Sequence, residues 1–168
     1  MAKKADFTSD EWQRILSLPQ VASLYLALAS PSNPVGLAQE MIASAKGIVE
    51  VLKSSSGNEL IDAVAADIRE KAEKRERMES PLKVGNDPNE MKAQCLQACR
   101  DVAALLSQKA PGDAQAYKQW VYQAAQNSAS AAKEGGVFGI GGERVSEAES
   151  AALKDIAAAL DISSVSGM

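Results

Sequence analysis

Apolar residues recur at three- and four-residue intervals along almost the whole chain. No window alternates apolar and polar residues long enough to read as a strand. The pattern therefore predicts helices throughout. Thr8 and Glu11 stand at capping-box spacing ahead of Trp12, so a first helix opens there. Leu18-Pro19 predicts a break or kink, because proline disfavours α geometry in the residue before it. A second helix is expected over about 19–30, with Val21, Leu24, Tyr25 and Leu28 on one face. After the turn Ser30-Pro31-Ser32-Asn33-Pro34, a third is expected over about 36–54, carrying Met41, Ala45, Ile48 and Leu52. A fourth, about 58–78, shows Ile61, Val64, Ala65 and Ile68.

The second half repeats the logic. Asp87, Pro88 and Glu90 fit the N-cap, N1 and N3 positions of a fifth helix, about 88–109, with Met91, Cys95, Cys99, Val102 and Leu106 in one stripe. Ala110-Pro111-Gly112-Asp113 ends it and leads into a sixth, about 113–134, with Tyr117, Trp120, Val121 and Ala124. Ser146 and Glu149 again have capping-box spacing and open a seventh, about 147–161, with Leu153, Ile156 and Leu160 buried. The expected fold is all-α: a compact bundle of six or seven helices forming a single domain over 7–162, with flexible tails at 1–6 and 163–168. Ala43, Lys46, Ile48 and Leu52 match Ala151, Lys154, Ile156 and Leu160 at a constant offset, which is compatible with two similar helical halves. Alanine-rich helices also produce such matches by chance.

Composition sharpens this picture at three points. Abundant alanine and only seven aromatic residues suit closely packed helices better than a sheet. The complete absence of histidine removes the serine–histidine triad, the cysteine–histidine pair and histidine metal sites. A net charge of -4 argues against a nucleic-acid partner, which needs a basic face. The most apolar window, Val21 to Ala29, falls far short of the ~20 residues that span a bilayer, and the polar start Met1-Ala2-Lys3-Lys4 is unlike a signal peptide. The expectation is a cytoplasmic protein without membrane association, its cysteines reduced.

The stretch from Lys133 to Glu149 stands apart. Gly135, Gly136, Gly139, Gly141 and Gly142 surround Phe138 and Ile140 between two helical patterns. The spacing is neither a dinucleotide fingerprint, whose third glycine would fall on Arg144, nor a P-loop, which needs a following Gly-Lys-Ser/Thr. Exposed backbone N–H groups, a helix start and the flanking Lys133 and Arg144 could hold an anion or a partner's carboxylate. Glu143, Glu147 and Glu149 would repel an anion there. The alternative is a structural corner, in which Gly135 ends one helix and Phe138 plugs the core. The candidate partner or anion loop is thus Lys133, Gly135, Gly136, Phe138, Gly139, Gly141, Gly142 and Arg144.

Other candidate chemistry reads as packing. Cys95 and Cys99 lie one turn apart, but zinc would need further cysteine or histidine ligands that the chain lacks, so both are expected in the core. Glu40, Glu50, Asp62 and Asp67 could cluster as in carboxylate-bridged bundles, yet that pattern includes histidine, and solvent-facing positions are expected instead. The charged run Arg69 to Glu79 fits a solvated helix end laced with i,i+4 pairs, with a docking strip as the other reading. The dispersed Trp12, Tyr25, Tyr117, Trp120 and Tyr122 do not form a stacking platform.

The chain resembles a group of uncharacterised bacterial all-helical proteins. The likeness rests on Thr8-Ser9-Asp10-Glu11-Trp12, Asn58-Glu59-Leu60-Ile61, Lys109-Ala110-Pro111 and Tyr117-Lys118-Gln119-Trp120. It continues in Ala132 to Gly139, Gly141-Gly142 and Val145-Ser146-Glu147-Ala148-Glu149, and so covers nearly the full length. The resemblance implies the helical fold and carries no established activity. More distantly, Val145-Ser146-Glu147-Ala148-Glu149 is similar to the helix start of tellurite-resistance TerB-like domains. Those domains place an acidic residue and then a glycine before it, where this chain has Gly142 and Glu143. The reading that follows is a non-catalytic interaction or small-ligand-binding module using the glycine-rich loop, with no cofactor and with an unknown protein partner or self-association. The alternatives are a carboxylate-based metal-binding or stress-response protein related to TerB-like domains, and a homo-oligomeric structural protein.

Overall fold

The computed structural model describes residues 2–29, 56–76, 82–83, 87–134 and 146–162, with the backbone alone over 130–134. Five α-helices account for most of them, and there is no strand among the described residues. They are α1 (Ser9–Ala29), α2 (Glu59–Glu73), α3 (Pro88–Lys109), α4 (Pro111–Glu134) and α5 (Glu147–Ala159). The all-helical bundle is therefore observed. The helix expected over 36–54 lies outside the described residues.

Local chemistry sets most of the helix starts. Thr8 Oγ1 accepts from the Glu11 amide at 3.2 Å while Glu11 Oε2 accepts from the Thr8 amide at 2.8 Å, satisfying two donors that a helix start leaves open. Ser146 and Glu149 form the same reciprocal pair ahead of α5. Asp87 Oδ1 accepts from the Asn89 amide at 2.8 Å, with Pro88 at N1 of α3. Asn58 Oδ1 accepts from the amides of Leu60 and Ile61 and so caps α2. α4 opens two residues earlier than its capping signal suggests, on Pro111, because Ala110 alone makes the connection to α3.

One expectation is corrected. Pro19 neither breaks nor divides the first helix: α1 runs continuously from Ser9 to Ala29 with Pro19 inside it. A proline there removes the N–H that would bond the Ile15 carbonyl. That carbonyl instead accepts the Tyr117 hydroxyl of α4 at 2.5 Å. Tyr117 is fully buried, so the donor is fixed by the core. One turn on, Ser23 Oγ donates to the Pro19 carbonyl at 2.9 Å and meets Ser128 Oγ of α4, also at 2.9 Å. The neighbouring helix thus supplies what proline takes away, and the first two expected helices are one.

α1 lies at the centre. It packs most extensively on α3 and α4 and also touches α5 and α2. Its buried face, with Ile15, Leu16, Leu18, Val21, Ala22 and Leu26, meets Cys95, Cys99, Val102 and Leu106 of α3, Tyr117, Val121 and Ala125 of α4, and Ile156 and Leu160 of α5 in one core. Small side chains at Ala22, Ala124 and Ala125, none of them exposed, let the helix backbones approach.

Residues 2–6, part of an expected tail, make specific contacts with the bundle, although only Ala2 among them is buried. They contain a 3-10 turn over Lys4–Asp6. Ala2 is buried, and its amide donates to Asp113 Oδ2 at 2.7 Å. Lys4 Nζ bonds Asp67 Oδ2 at 2.6 Å. Asp113, itself buried near the start of α4, also accepts from Asn58 Nδ2 at 2.9 Å, so one carboxylate ties the N-terminal arm to the cap of α2. The other expected tail, 163–168, lies outside the described residues.

Candidate functional site

The polar sides of α1 and α3 face each other across a groove of about 730 Å³. Helical spacing builds both walls. On α1, Ser9, Asp10, Gln13 and Arg14 lie within two turns on the face away from Trp12 and Ile15. On α3, Glu90, Gln94, Gln97 and Asp101 follow one another at intervals of four, three and four residues, beside the buried Cys95–Cys99 stripe. Ala98 and Val102 also line it, and Leu82 and Lys83 complete it.

The groove holds amides, carboxylates and cations, and its lining contains no aromatic ring. Gln94 Oε1 accepts the backbone N–H of Lys83 at 2.9 Å. Gln97 donates to Asp101 Oδ1 at 2.7 Å and accepts from Arg100 at 3.3 Å. Arg14 is exposed and makes no ion pair among the described residues. Such a surface can hydrogen-bond and complement charge. It offers no activated nucleophile.

The reactive side chains sit elsewhere, in the core. Cys95 and Cys99 have no exposure and are free thiols. Burial pushes the Cys95 thiol up to about 11. Burial, then the neighbouring Cys95, pushes Cys99 up to about 12. Both are therefore protonated at neutral pH, and the thiolate is the nucleophilic form. Burial and the hydrogen bond to Asp155 at 2.8 Å raise the Tyr25 hydroxyl to about 12. Burial holds Tyr117 well above its ordinary range. Trp120 Nε1 is buried and finds no acceptor among the described residues.

The carboxylates read from the sequence divide. Asp67 accepts from Lys4 Nζ and from Trp12 Nε1 at 2.7 Å. Burial acts to raise its carboxyl, but these two donors outweigh burial and hold it below the usual range. Asp62 accepts from Ser56 in the turn before α2. Glu40 and Glu50 lie outside the described residues. No group of three or more cysteine, aspartate or glutamate side chains that could hold a metal occurs among the described residues. The charged run ending α2 behaves as a solvated helix end where it is described: Lys74 bonds Glu70 one turn back at 2.5 Å, with both side chains exposed. Trp12, Tyr25, Tyr117 and Trp120 are all core residues.

Of the expected partner loop, Lys133 lies in the last turn of α4, and Gly135, Gly136, Phe138, Gly139, Gly141, Gly142 and Arg144 lie outside the described residues. The groove itself is absent from the sequence reading. Its signal was present as two polar stripes at helical spacing, but a solvated helix face carries the same signal. Only the pairing of α1 with α3 makes the stripes opposing walls. Compared with protein-family models, curated proteins and solved structures, the chain finds no match. None of the described helices is long and apolar enough to cross a membrane.

Proposed function

We propose that this chain is a non-catalytic binding module of six helices, counting the one read over 36–54, which holds a polar ligand or partner segment in the α1–α3 groove. The observation that carries the reading is the groove itself, walled by Asp10, Gln13, Arg14, Glu90, Gln94 and Asp101 on two helices that the core holds rigidly. Rigid walls lower the ordering cost of binding. The locked state of Cys95, Cys99, Tyr25 and Tyr117 supports binding over catalysis, because none is poised as a nucleophile or general base. Membership of the uncharacterised bacterial helical group, a cytoplasmic setting and a second contact surface on the loop from Lys133 to Arg144 belong to the same proposal.

The test is a thermal-shift screen of small polar metabolites and short peptides against the parent protein, Arg14→Glu and Phe138→Ala. A ligand at a hundred times its dissociation constant stabilises the folded state by ~2.7 kcal/mol. For a chain of this size that raises Tm by roughly 5–11 °C. The expected result is a shift that Arg14→Glu abolishes and Phe138→Ala preserves. A shift that survives Arg14→Glu and is lost on Phe138→Ala would move the site to the glycine loop.

A further inference from the structure

We propose that the chain is cut between Met1 and Ala2, and that the α-ammonium freed on Ala2 is held as an ion pair by the buried carboxylate of Asp113.

Asp113 is 4% exposed. Neither lysine nor arginine pairs with it among the described residues. Its two oxygens accept instead from neutral donors: Oδ1 from Asn58 Nδ2 at 2.9 Å, and Oδ2 from the Ala2 nitrogen at 2.7 Å. Its place in the first turn of α4 adds about half a positive charge from the helix dipole. A buried carboxylate is best held by hydrogen bonds together with a full opposite charge, and here the hydrogen bonds stand without the charge.

The nitrogen already in place becomes a cation when one bond is cut. In the Met1–Ala2 peptide unit it is neutral. Hydrolysis breaks the C–N bond, places the oxygen and one hydrogen of water on the Met1 carbonyl carbon, and gives the other hydrogen to the Ala2 nitrogen, which then takes a proton from solvent. An α-amino group ordinarily titrates near about 8, so at neutral pH the freed group is an ammonium. It lies beside Oδ2. Position 2 suits the cut. Ala2 is 7% exposed at the edge of the core, and removal of methionine by a peptidase that cuts ahead of a small residue is an ordinary processing step. The cut frees the same nitrogen whatever precedes Met1. A charge-assisted hydrogen bond is roughly twice as strong as a neutral one, so processing fastens the arm to the head of α4.

The intact mass of protein expressed with Met1 encoded reports the cut. Melting temperatures over about pH 6 to 10 then compare three forms: one that begins with Ala2, one that keeps Met1, and one whose Ala2 nitrogen is acetylated, each with and without Asp113→Asn. The expected mass is lighter by one methionine. At pH 6 the Ala2 form should melt at least about 3 °C above the other two. That gain is present below the ordinary α-amino value and is lost as pH rises through the folded value, which the Asp113 carboxylate raises. It should vanish in Asp113→Asn. The charged groups on the arm and the elements packed with it, Lys3, Lys4, Asp6, Glu11, Glu59, Asp62, Asp67 and Lys109, are common to all forms and cancel in the difference. If Asp113→Asn folds poorly, the acetylated form decides alone, since it keeps the N–H and lacks only the charge. Retention of Met1, an Ala2 form that melts within about 1 °C of the other two, a gain unchanged across the pH range, or a gain that survives Asp113→Asn each overturns the proposal.

Discussion

Tyr117→Phe removes one oxygen atom from the centre of the molecule and nothing else. In the parent that hydroxyl donates to the Ile15 carbonyl, whose normal partner would be the N–H of residue 19. Pro19 has none, so in the variant a buried acceptor loses its donor, at a cost of ~1–3 kcal/mol. With ~2–4 °C per kcal/mol for a chain of this length, Tm should fall by roughly 2–12 °C. A fall of that size alone would also follow from repacking, so the informative measurement is a double-mutant cycle with Pro19→Ala. Alanine restores an N–H one turn after Ile15 and so satisfies the carbonyl from within α1. Tyr117→Phe should then cost at least ~1 kcal/mol less in the Pro19→Ala background than in the parent, measured by denaturant unfolding followed by far-UV circular dichroism. If its cost is the same in both backgrounds to within ~0.5 kcal/mol, the hydroxyl does not serve the orphaned carbonyl and the account of how α1 passes through Pro19 is wrong.

Two other outcomes follow from the buried and paired groups. Asp67 and Glu11 both have folded-state carboxyls held below their ordinary values, Asp67 against the raising effect of burial by Lys4 and Trp12, and Glu11 chiefly by its hydrogen bond from Lys109. The unfolded chain therefore binds more protons in acid, so their contribution is present above about pH 4 and is lost as pH falls through the depressed values; Asp67→Asn should flatten that acid loss in a pH series of melting curves. Cys95 and Cys99, buried and protonated, should react with a thiol reagent at pH 8 at least a hundredfold more slowly in native protein than in denatured protein; mass spectrometry showing rapid native labelling of both would refute their place in the core.

Where a structural decision is local, the sequence carries it. Thr8 with Glu11, Asp87 with Pro88, and Ser146 with Glu149 act across three residues or fewer, and each opens a helix where its spacing predicts. The stripe of Cys95, Cys99, Val102 and Leu106 is equally legible, since a shared face at helical spacing needs only a neighbour to be buried. Pro19 is misread because its compensation comes from Tyr117, 102 positions beyond the Ile15 carbonyl it serves, and nothing near Pro19 announces it. The contacts of residues 2–6 are long-range in the same way, since Asp67 and Asp113 come beside the arm only through the fold. The groove belongs with these long-range facts.

The Asp113 carboxylate has a consequence for how the molecule comes apart. It holds the Asn58 amide, 55 positions before it, and the Ala2 backbone N–H, 111 positions before it. Asn58 is at the same time the cap whose oxygen engages Leu60 and Ile61. The first turn of α2 is thus finished by a group on α4, and a short helix of this kind would ordinarily fray from its end. Here fraying must also break the part-buried bond from Asn58 to the Asp113 carboxylate, whose other oxygen holds the N-terminal arm, so the helix end is tied to distant structure. Arm, α2 cap and the head of α4 meet at one carboxylate, and hydrogen exchange at the Leu60 and Ile61 amides should slow or quicken with that junction as well as with the helix end.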